Sequence, residues 1–493
     1  MKRSYTFHTI FHLLGPLILI QGFLLLTPLI FALIYNEYAQ IKAFVIPSLL
    51  CFAVGYFLWK FFKPGVVYYI QSILICGMAW IILSLFGCIP FYIGAGSSFL
   101  NSYFETVSGF TTTGITIFTD IEILPRSILF WRSFIQWLGG LGILTFFLAI
   151  SFRSNQSYFQ LFAAESHKIE ISRPTPSIFK TVIILWSLYI LLTFCEIVAL
   201  QFLGVGFFDA LCHSLTTLST GGFSPYNASI DYYHRAGFAH WKTIEYIITF
   251  FMLLGGINFL LHYKILTGKM REVSSNTELR NFLIIIVVSC VFILADHYVH
   301  FSDFSLDNLE NNFRQSIFTV VSIITTTGFG TTDINEAFFP ALSKQIFLVL
   351  MFIGGCVGST GGGVKVARIT IMFKAFSAQI RKLRMPRKAF FELVIDRKII
   401  PDSEIKRVTG LFFGWLFLLL IGGFITALFT NLGSWEAFSG MFSAMGNIGP
   451  CYISVQQMSE LPAIVKLTYI FGMLAGRLEI LPVLLILDYK AWK

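Results

Sequence analysis

Four short stretches carry the groups that could do chemistry: Thr111-Thr112-Thr113-Gly114-Ile115-Thr116, Ser219-Thr220-Gly221-Gly222-Phe223-Ser224, Thr325-Thr326-Thr327-Gly328-Phe329-Gly330 and Met445-Gly446-Asn447-Ile448-Gly449-Pro450. Their central glycines stand 108, 106 and 121 residues apart, the period of one helix-loop-helix unit. A run of small residues closed by glycine predicts an extended loop that exposes its carbonyls, because glycine supplies the backbone freedom that a Cβ forbids. Thr112-Thr113-Gly114, Thr220-Gly221-Gly222, Thr326-Thr327-Gly328 and Asn447-Ile448-Gly449 would together offer layered carbonyl oxygens that replace an ion's hydration shell. A single such run is an ordinary turn; four at one spacing are not.

The elements that must position these loops are membrane helices. At 56% hydrophobic and 12% charged residues over 493 positions, with a mean hydropathy of +0.75, the chain is too apolar for a soluble protein. Apolar runs of about 20 residues, long enough to cross a ~30 Å hydrocarbon core, occur throughout. Each candidate loop follows an apolar segment too short to cross. Non-helical backbone at membrane depth is tolerated only when buried in protein or beside a wet cavity.

These patterns predict an all-α polytopic protein of ten spans and four half-helices. Two helices near 10–34 and 41–62 form an N-terminal appendage, residues 1–66. Four pore repeats follow over 67–155, 176–272, 280–378 and 404–493, with half-helices over 98–113, 209–218, 313–324 and 434–444. Their flanking helices are placed near 69–86 and 127–150, 181–202 and 241–266, 282–297 and 342–373, and 408–429 and 463–487. The expected result is fourfold pseudosymmetry about one pore. Small pairs at 139–140, 255–256, 354–355 and 475–476 recur at one depth of the second helices, independently supporting the repeat. Close helix packing also explains such pairs.

The third of these helices is interrupted by Gly354-Gly355-Cys356-Val357-Gly358-Ser359-Thr360-Gly361-Gly362-Gly363-Val364-Lys365. Each glycine costs a helix about 1 kcal/mol against alanine. A phosphate-binding loop is excluded, since Val364 stands where glycine must precede the lysine. Arg477 follows the last small pair, at the level of Leu141, Ile257 and Cys356. An intramembrane cation is a functional candidate by default, with a packing salt bridge to Glu479 as the bland reading. Lys365 is expected to end the broken segment near the cytoplasm.

Half-helix C-termini would direct about −0.5 charge each at an ion. Glu105, Asp209, Glu436, Asp120, Asp231 and Asp333 flank the loops, as cation-attracting mouth acids or as ordinary solvated and helix-start charges. Glu196, inside an apolar run, is a weaker candidate for a proton-linked group.

The net charge of +9 is distributed over alternate connections: Lys60 and Lys63, 153–180, 264–280, 381–407, and Lys490 with Lys493, together with the N-terminus. That positive-inside pattern predicts two cytoplasmic termini and argues against a nucleic-acid module. The apolar run after Met1-Lys2-Arg3 is too long for a cleaved signal and reads as a retained helix. Eight scattered cysteines without a C-x-x-C pair, and nine histidines without H-E-x-x-H, point to neither metal site nor enzyme.

On the four loops, the small pairs and the broken third helix, the chain resembles the Trk/Ktr/HKT superfamily of potassium transporters over essentially its whole length. The two extra N-terminal helices make it most similar to the TrkH/TrkG pore-forming branch of bacteria. The resemblance implies potassium uptake across the bacterial inner membrane, with K+ as transported ion and no covalently bound cofactor. It also implies a homodimer and a cytoplasmic, nucleotide-binding regulatory subunit of TrkA type, for which the basic 381–407 connection is a docking candidate. In HKT relatives a serine at the first filter glycine accompanies sodium transport, so four glycines imply potassium. The family's gate is an intramembrane loop matching Gly358, Ser359, Thr360, Gly361, Gly362, Gly363 and Lys365, with an arginine matching Arg477 as electrostatic barrier. The rival reading is a proton- or sodium-coupled symporter using the same filter. Alternating access usually rests on two inverted repeats, whereas these four share one orientation.

Overall fold

Long apolar runs in lipid must satisfy every backbone group internally, and they do so here as helices. The computed structural model describes residues 2–63, 65, 68–142, 178–301, 305–384 and 392–492. Among them, six helices are long and apolar enough to cross a membrane: Phe7–Ile34, Tyr38–Phe61, Ile70–Gly94, Lys180–Phe202, Thr277–Phe301 and Asp402–Phe429. A seventh span results if Trp241–Gly256 and Phe259–Leu266, bent by 101°, count as one. The end of the helix expected at 127–150, most of the 153–180 stretch, residues 385–391 and Lys493 lie outside the described residues.

Four shorter helices end at the candidate loops: Phe99–Phe110, Phe207–Leu218, Leu306–Ile324 and Ser434–Gly446. The third starts seven residues before its expected position, because Ser305 caps it by accepting from the Asn308 amide at 3.3 Å. Each packs against the long helix preceding it and against a second helix from elsewhere in the chain. Arg126–Gly140 packs on Phe207–Leu218, Trp241–Gly256 on Leu306–Ile324, Ala341–Phe352 on Ser434–Gly446, and Ala463–Leu478 on Phe99–Phe110. The order closes on itself. Lys2–Leu24 and Ile41–Phe61 pack on each other beside Tyr69–Gly87.

Two expectations need correction. The inner helices were expected to be continuous except the third. Instead the second also stops, at Gly256, and the fourth at Leu478, followed by Glu479 and Ile480 at φ of 61° and 56°, while the third stops at Phe352 before its glycine-rich break. The small pairs mark these ends because they abut backbone: a Cβ on Gly139 would lie 1.9 Å from the Phe110 carbonyl oxygen, and one on Gly476 2.1 Å from that of Met445.

The chain is also not purely helical. Leu393–Ile395 and Lys398–Ile400 form an antiparallel hairpin across Asp396 and Arg397, both at positive φ. Branched apolar residues on either side of a two-residue turn favour it.

Candidate functional site

The threonine runs do two local tasks. At the first and third helix ends the leading threonine returns its hydroxyl to the carbonyl four residues back, Thr111 to Val107 at 2.6 Å and Thr325 to Val321 at 2.7 Å. The same hydroxyls meet Thr113 and Thr327 at 2.7 and 2.8 Å, fixing the turn. Thr112, Thr220, Thr326 and Asn447 then take left-handed φ of 54°, 52°, 61° and 53°. Asparagine tolerates that region, but three β-branched residues there are outliers of the kind concentrated at functional sites.

The loop amides fold back on their own helices. Thr113 donates to Ser108 at 2.8 Å, Gly221 to Thr216 at 2.9 Å, Thr327 to Ser322 at 2.9 Å and Ile448 to Ser443 at 3.1 Å. The carbonyls are left over. Among the described residues, no hydrogen-bond donor reaches the backbone oxygens of Thr112, Thr113, Gly114, Thr220, Gly222, Thr326, Thr327, Gly328, Asn447, Ile448 or Gly449. Only Gly221 is taken, by Gln136 Nε2 at 2.6 Å, while Gln136 Oε1 accepts from the Phe223 amide at 3.0 Å. Carbonyls without a partner are rare on buried residues, and this set, on buried and half-buried residues beside one cavity, is suited to a cationic ligand.

The loops also touch one another in a closed order. A Cβ on Gly114 would stand 2.3 Å from the Gly221 oxygen, on Gly222 2.0 Å from Thr327, on Gly328 1.9 Å from Ile448, and on Gly449 3.1 Å from Thr113. With φ of 80°, 75°, 85° and 105°, these glycines admit no substitute without strain. All four line one cavity of about 250 Å³.

Of the flanking acids, Asp333 alone lines that cavity. Glu105 is not a mouth acid: it is fully buried, accepting from Arg132 Nε at 2.7 Å, Thr116 Oγ1 at 3.0 Å and the Ile117 amide at 3.0 Å. Arg132 reaches on to the Ser224 carbonyl at 2.8 Å, bracing loops one and two together. Asp209 accepts from Tyr226 Oη at 2.8 Å, Asp231 pairs with Arg235 at 2.5 Å, Asp120 accepts from Asn227 Nδ2 at 3.0 Å, and Glu436 caps its own helix through Gly433 at 2.8 Å. Gln136 and Arg132 brace these loops and were not assigned from the sequence, while Asn447, expected there to offer its carbonyl to an ion, also braces the first loop by donating from Nδ2 to Thr113 Oγ1 at 2.9 Å. Gln136 directly before the Trp137-Leu138-Gly139-Gly140 run was the available signal.

The glycine-rich segment packs directly under the loops, on the side away from that cavity. Thr360 donates from its amide to Gly255 at 3.2 Å and from its hydroxyl to Leu218 at 2.9 Å. The Gly362 amide donates to Thr326 Oγ1 at 2.7 Å, and a Cβ on Gly362 would lie 2.5 Å from the Gly446 carbonyl. Glu479 binds Arg368 at 2.6 Å, and Arg477 reaches backbone oxygens. Its guanidinium donates to the carbonyls of Thr360 at 2.6 Å, Gly139 at 2.5 Å and Gly140 at 2.6 Å. Lys365 likewise folds back, its Nζ donating to the carbonyls of Gly361 and Gly362. Gly358, Ser359 and Gly363 complete the loop. Ser359 Oγ bonds the Cys356 carbonyl at 2.6 Å, and the Phe259 amide donates to Gly358 at 3.1 Å. Glu196 is fully buried beside Thr217 of the second loop-bearing helix.

Comparison with known proteins gives a consistent picture. A family described as TrkH, cation transport protein, matches residues 40–490. The Trk system potassium uptake protein TrkH of Escherichia coli K12 is 32% identical over 497 residues, covering 99% of each chain. An uncharacterised cation transporter of Methanocaldococcus jannaschii is 33% identical over 480 residues, covering 97% of this chain and 94% of its own. The crystal structure of the potassium transporter TrkH from Vibrio parahaemolyticus superposes with a TM-score of 0.86 at 29% identity, over 99% of this chain and 100% of that one.

Proposed function

The chain belongs to the TrkH family of cation transport proteins, a transporter and not an enzyme, and on that premise we propose that it is a channel-like pore for potassium uptake. The observation that carries this is the set of loop carbonyls without donors, in four mutually touching loops beside one cavity. Carbonyls held this way replace the hydration shell of a potassium ion. The closed packing order of inner and loop-bearing helices supports fourfold pseudosymmetry about a single path, with residues 1–66 as an appendage.

The glycine-rich loop is the gate. It packs against the second, third and fourth filter loops or their helices, and Arg477 binds it from the fourth repeat while also holding the end of Arg126–Gly140. A fixed cation on the path adds an electrostatic barrier to the steric one. The pore works in the bacterial inner membrane with both termini cytoplasmic, as a homodimer under a TrkA-type nucleotide-binding subunit.

Flux into proteoliposomes of purified protein tests the reading. Potassium and rubidium should enter down their own gradients, sodium more slowly, and a superimposed proton gradient should leave the rate unchanged. Flux that requires a proton or sodium gradient would establish the symporter instead. Deleting Gly358–Gly362 should raise regulator-free potassium flux by about tenfold or more; a protein that folds without faster flux has its gate elsewhere.

A further inference from the structure

Glu278 stands in the first turn of Thr277–Phe301, far in sequence from the broken helix, yet one of its oxygens holds both ends of the break. Glu278 Oε1 accepts from the Val357 amide at 2.7 Å, where the glycine-rich loop begins, and from the Ala367 amide at 3.2 Å, where helix resumes after it. Val366–Lys382 has no side-chain cap of its own at Lys365. The carboxylate therefore serves as the missing cap, and a negative group at a helix start is favoured by the dipole as well as by the hydrogen bond.

The staple is itself held from outside. Asp396, exposed in the turn of the hairpin, accepts from the Thr277 amide at 3.1 Å and from the Thr277 hydroxyl. The hairpin also binds the helix beyond the gate, through Lys374 Nζ to the Val394 carbonyl at 3.1 Å, and Leu393 packs with Ile371, Ala378 and Val408. An open cavity of about 340 Å³, lined by Glu278, Val357, Ala367 and Asp396, brings solvent to the junction.

The geometry points to Glu278 as the positioning residue of the glycine-rich loop and to Asp396 of the Leu393–Ile400 hairpin as the residue that holds the Glu278 helix start in place. This rests on the loop being the gate. Loss of the Asp396 contact loosens Thr277 and Glu278 together, and with them the two amides that pin the loop. Only hydrogen bonds change. The filter is not touched, so ion selectivity stays constant while the open fraction moves.

Two measurements on the full-length protein in proteoliposomes, without a partner, test this. Hydrogen–deuterium exchange of peptides covering 353–367 should quicken roughly tenfold in Glu278→Ala, the worth of one charge-assisted hydrogen bond. It should return near the parent rate in Glu278→Gln, which keeps the accepting oxygen. Rubidium flux per folded protein should rise about fivefold in Glu278→Ala, about twofold in Asp396→Ala, and little in Glu278→Gln, all with unchanged potassium/sodium preference. Asp396→Ala keeps the test alive if Glu278→Ala does not fold, because it alters only an exposed turn. Exchange that does not quicken in either alanine variant overturns the staple. Faster exchange without faster flux, in a background where the Gly358–Gly362 deletion does conduct faster, overturns the positioning role while leaving the gate intact. If the deletion itself is silent, the gate reading has failed, and the exchange result still judges the staple.

Discussion

The four candidate filter loops and the glycine-rich loop are both irregular, glycine-containing backbone packed among apolar helices, but their polar groups are satisfied in opposite ways. In the candidate filter loops the amides bind the loops' own helices, and among the described residues no protein donor reaches eleven of the twelve carbonyls. In the loop below, the carbonyls of Thr360, Gly361 and Gly362 bind Arg477 and Lys365, and the amides of Val357, Thr360 and Gly362 bind Glu278, Gly255 and Thr326. One region is braced by backbone against backbone and leaves its oxygens free for an ion. The other is held largely by side chains from separate helices, each of which can let go alone. Substitutions in the ring should therefore impair conduction or selectivity, whereas substitutions around the loop should raise or lower the open fraction.

The ring offers the largest effect. A Cβ on Gly328 would sit 1.9 Å from the Ile448 oxygen and 2.8 Å from Pro450 Cδ, at a φ of 85°, and neither neighbour is a flexible side-chain end. Gly328→Ala should lower potassium flux by roughly a hundredfold, equivalent to about 2.7 kcal/mol at the barrier. Near-parental flux from folded protein would break the claim that the loops form a closed ring.

Removing the loop's cationic tethers should act in the other direction. A unit charge about 6 Å from a potassium ion costs roughly 3 kcal/mol at an effective dielectric of 20. Arg477→Ala removes that repulsion and three hydrogen bonds to carbonyls, and should raise flux by up to about a hundredfold. Lys365→Ala should raise it less, since Lys365 binds only the loop that carries it. The measurement is flux per folded protein. A fall in it after Arg477→Ala would mean that the arginine serves packing at the ends of Gly139 and Gly140 and nothing more.

The contrast between ring and loop also explains what could be read from the sequence. The four loops were legible because their constraint is on backbone, and backbone constraints write themselves as glycine and small residues at fixed spacing: Gly114, Gly222, Gly328 and Gly449 all take positive φ in loops that touch one another. The broken third helix was legible for the same reason. The breaks after Gly256 and Leu478 were not expected. Asn258, whose side chain caps the next helix by accepting from Leu260 at 2.9 Å, and Pro482 at a helix start were their only marks. Long-range side-chain pairs left no trace at all. Glu105 with Arg132 joins two helices and Glu278 joins a helix to the Val357 amide of the glycine-rich loop, and a lone acid near a loop reads as a mouth charge until its partner is seen. The hairpin was passed over because basic residues dominate its connection, although Leu393-Val394-Ile395 and Lys398-Ile399-Ile400 flank a two-residue turn.

The smallest effect sharpens the comparison within the ring itself. Gly114 and Gly328 occupy equivalent places, yet what a side chain would meet differs. At Gly114 the Cβ would approach the Gly221 oxygen at 2.3 Å, and that carbonyl is tethered by the Gln136 side chain. A glutamine can swing with its carbonyl, where Ile448 and Pro450 have no such give. Gly114→Ser should therefore displace one carbonyl of the ring without closing it, and the altered ring should discriminate less against the smaller ion. Sodium permeability relative to potassium is expected to rise by a few-fold, on the order of 1 kcal/mol of lost discrimination, while potassium flux falls by less than in Gly328→Ala. The reversal potential under a bi-ionic potassium/sodium gradient reads this directly. In the double variant Gly114→Ser with Gln136→Ala the tether is gone, so the displaced carbonyl moves further and the shift should grow. An unchanged reversal potential in both would place the first loop outside the selective ring, and three loops would have to carry the discrimination.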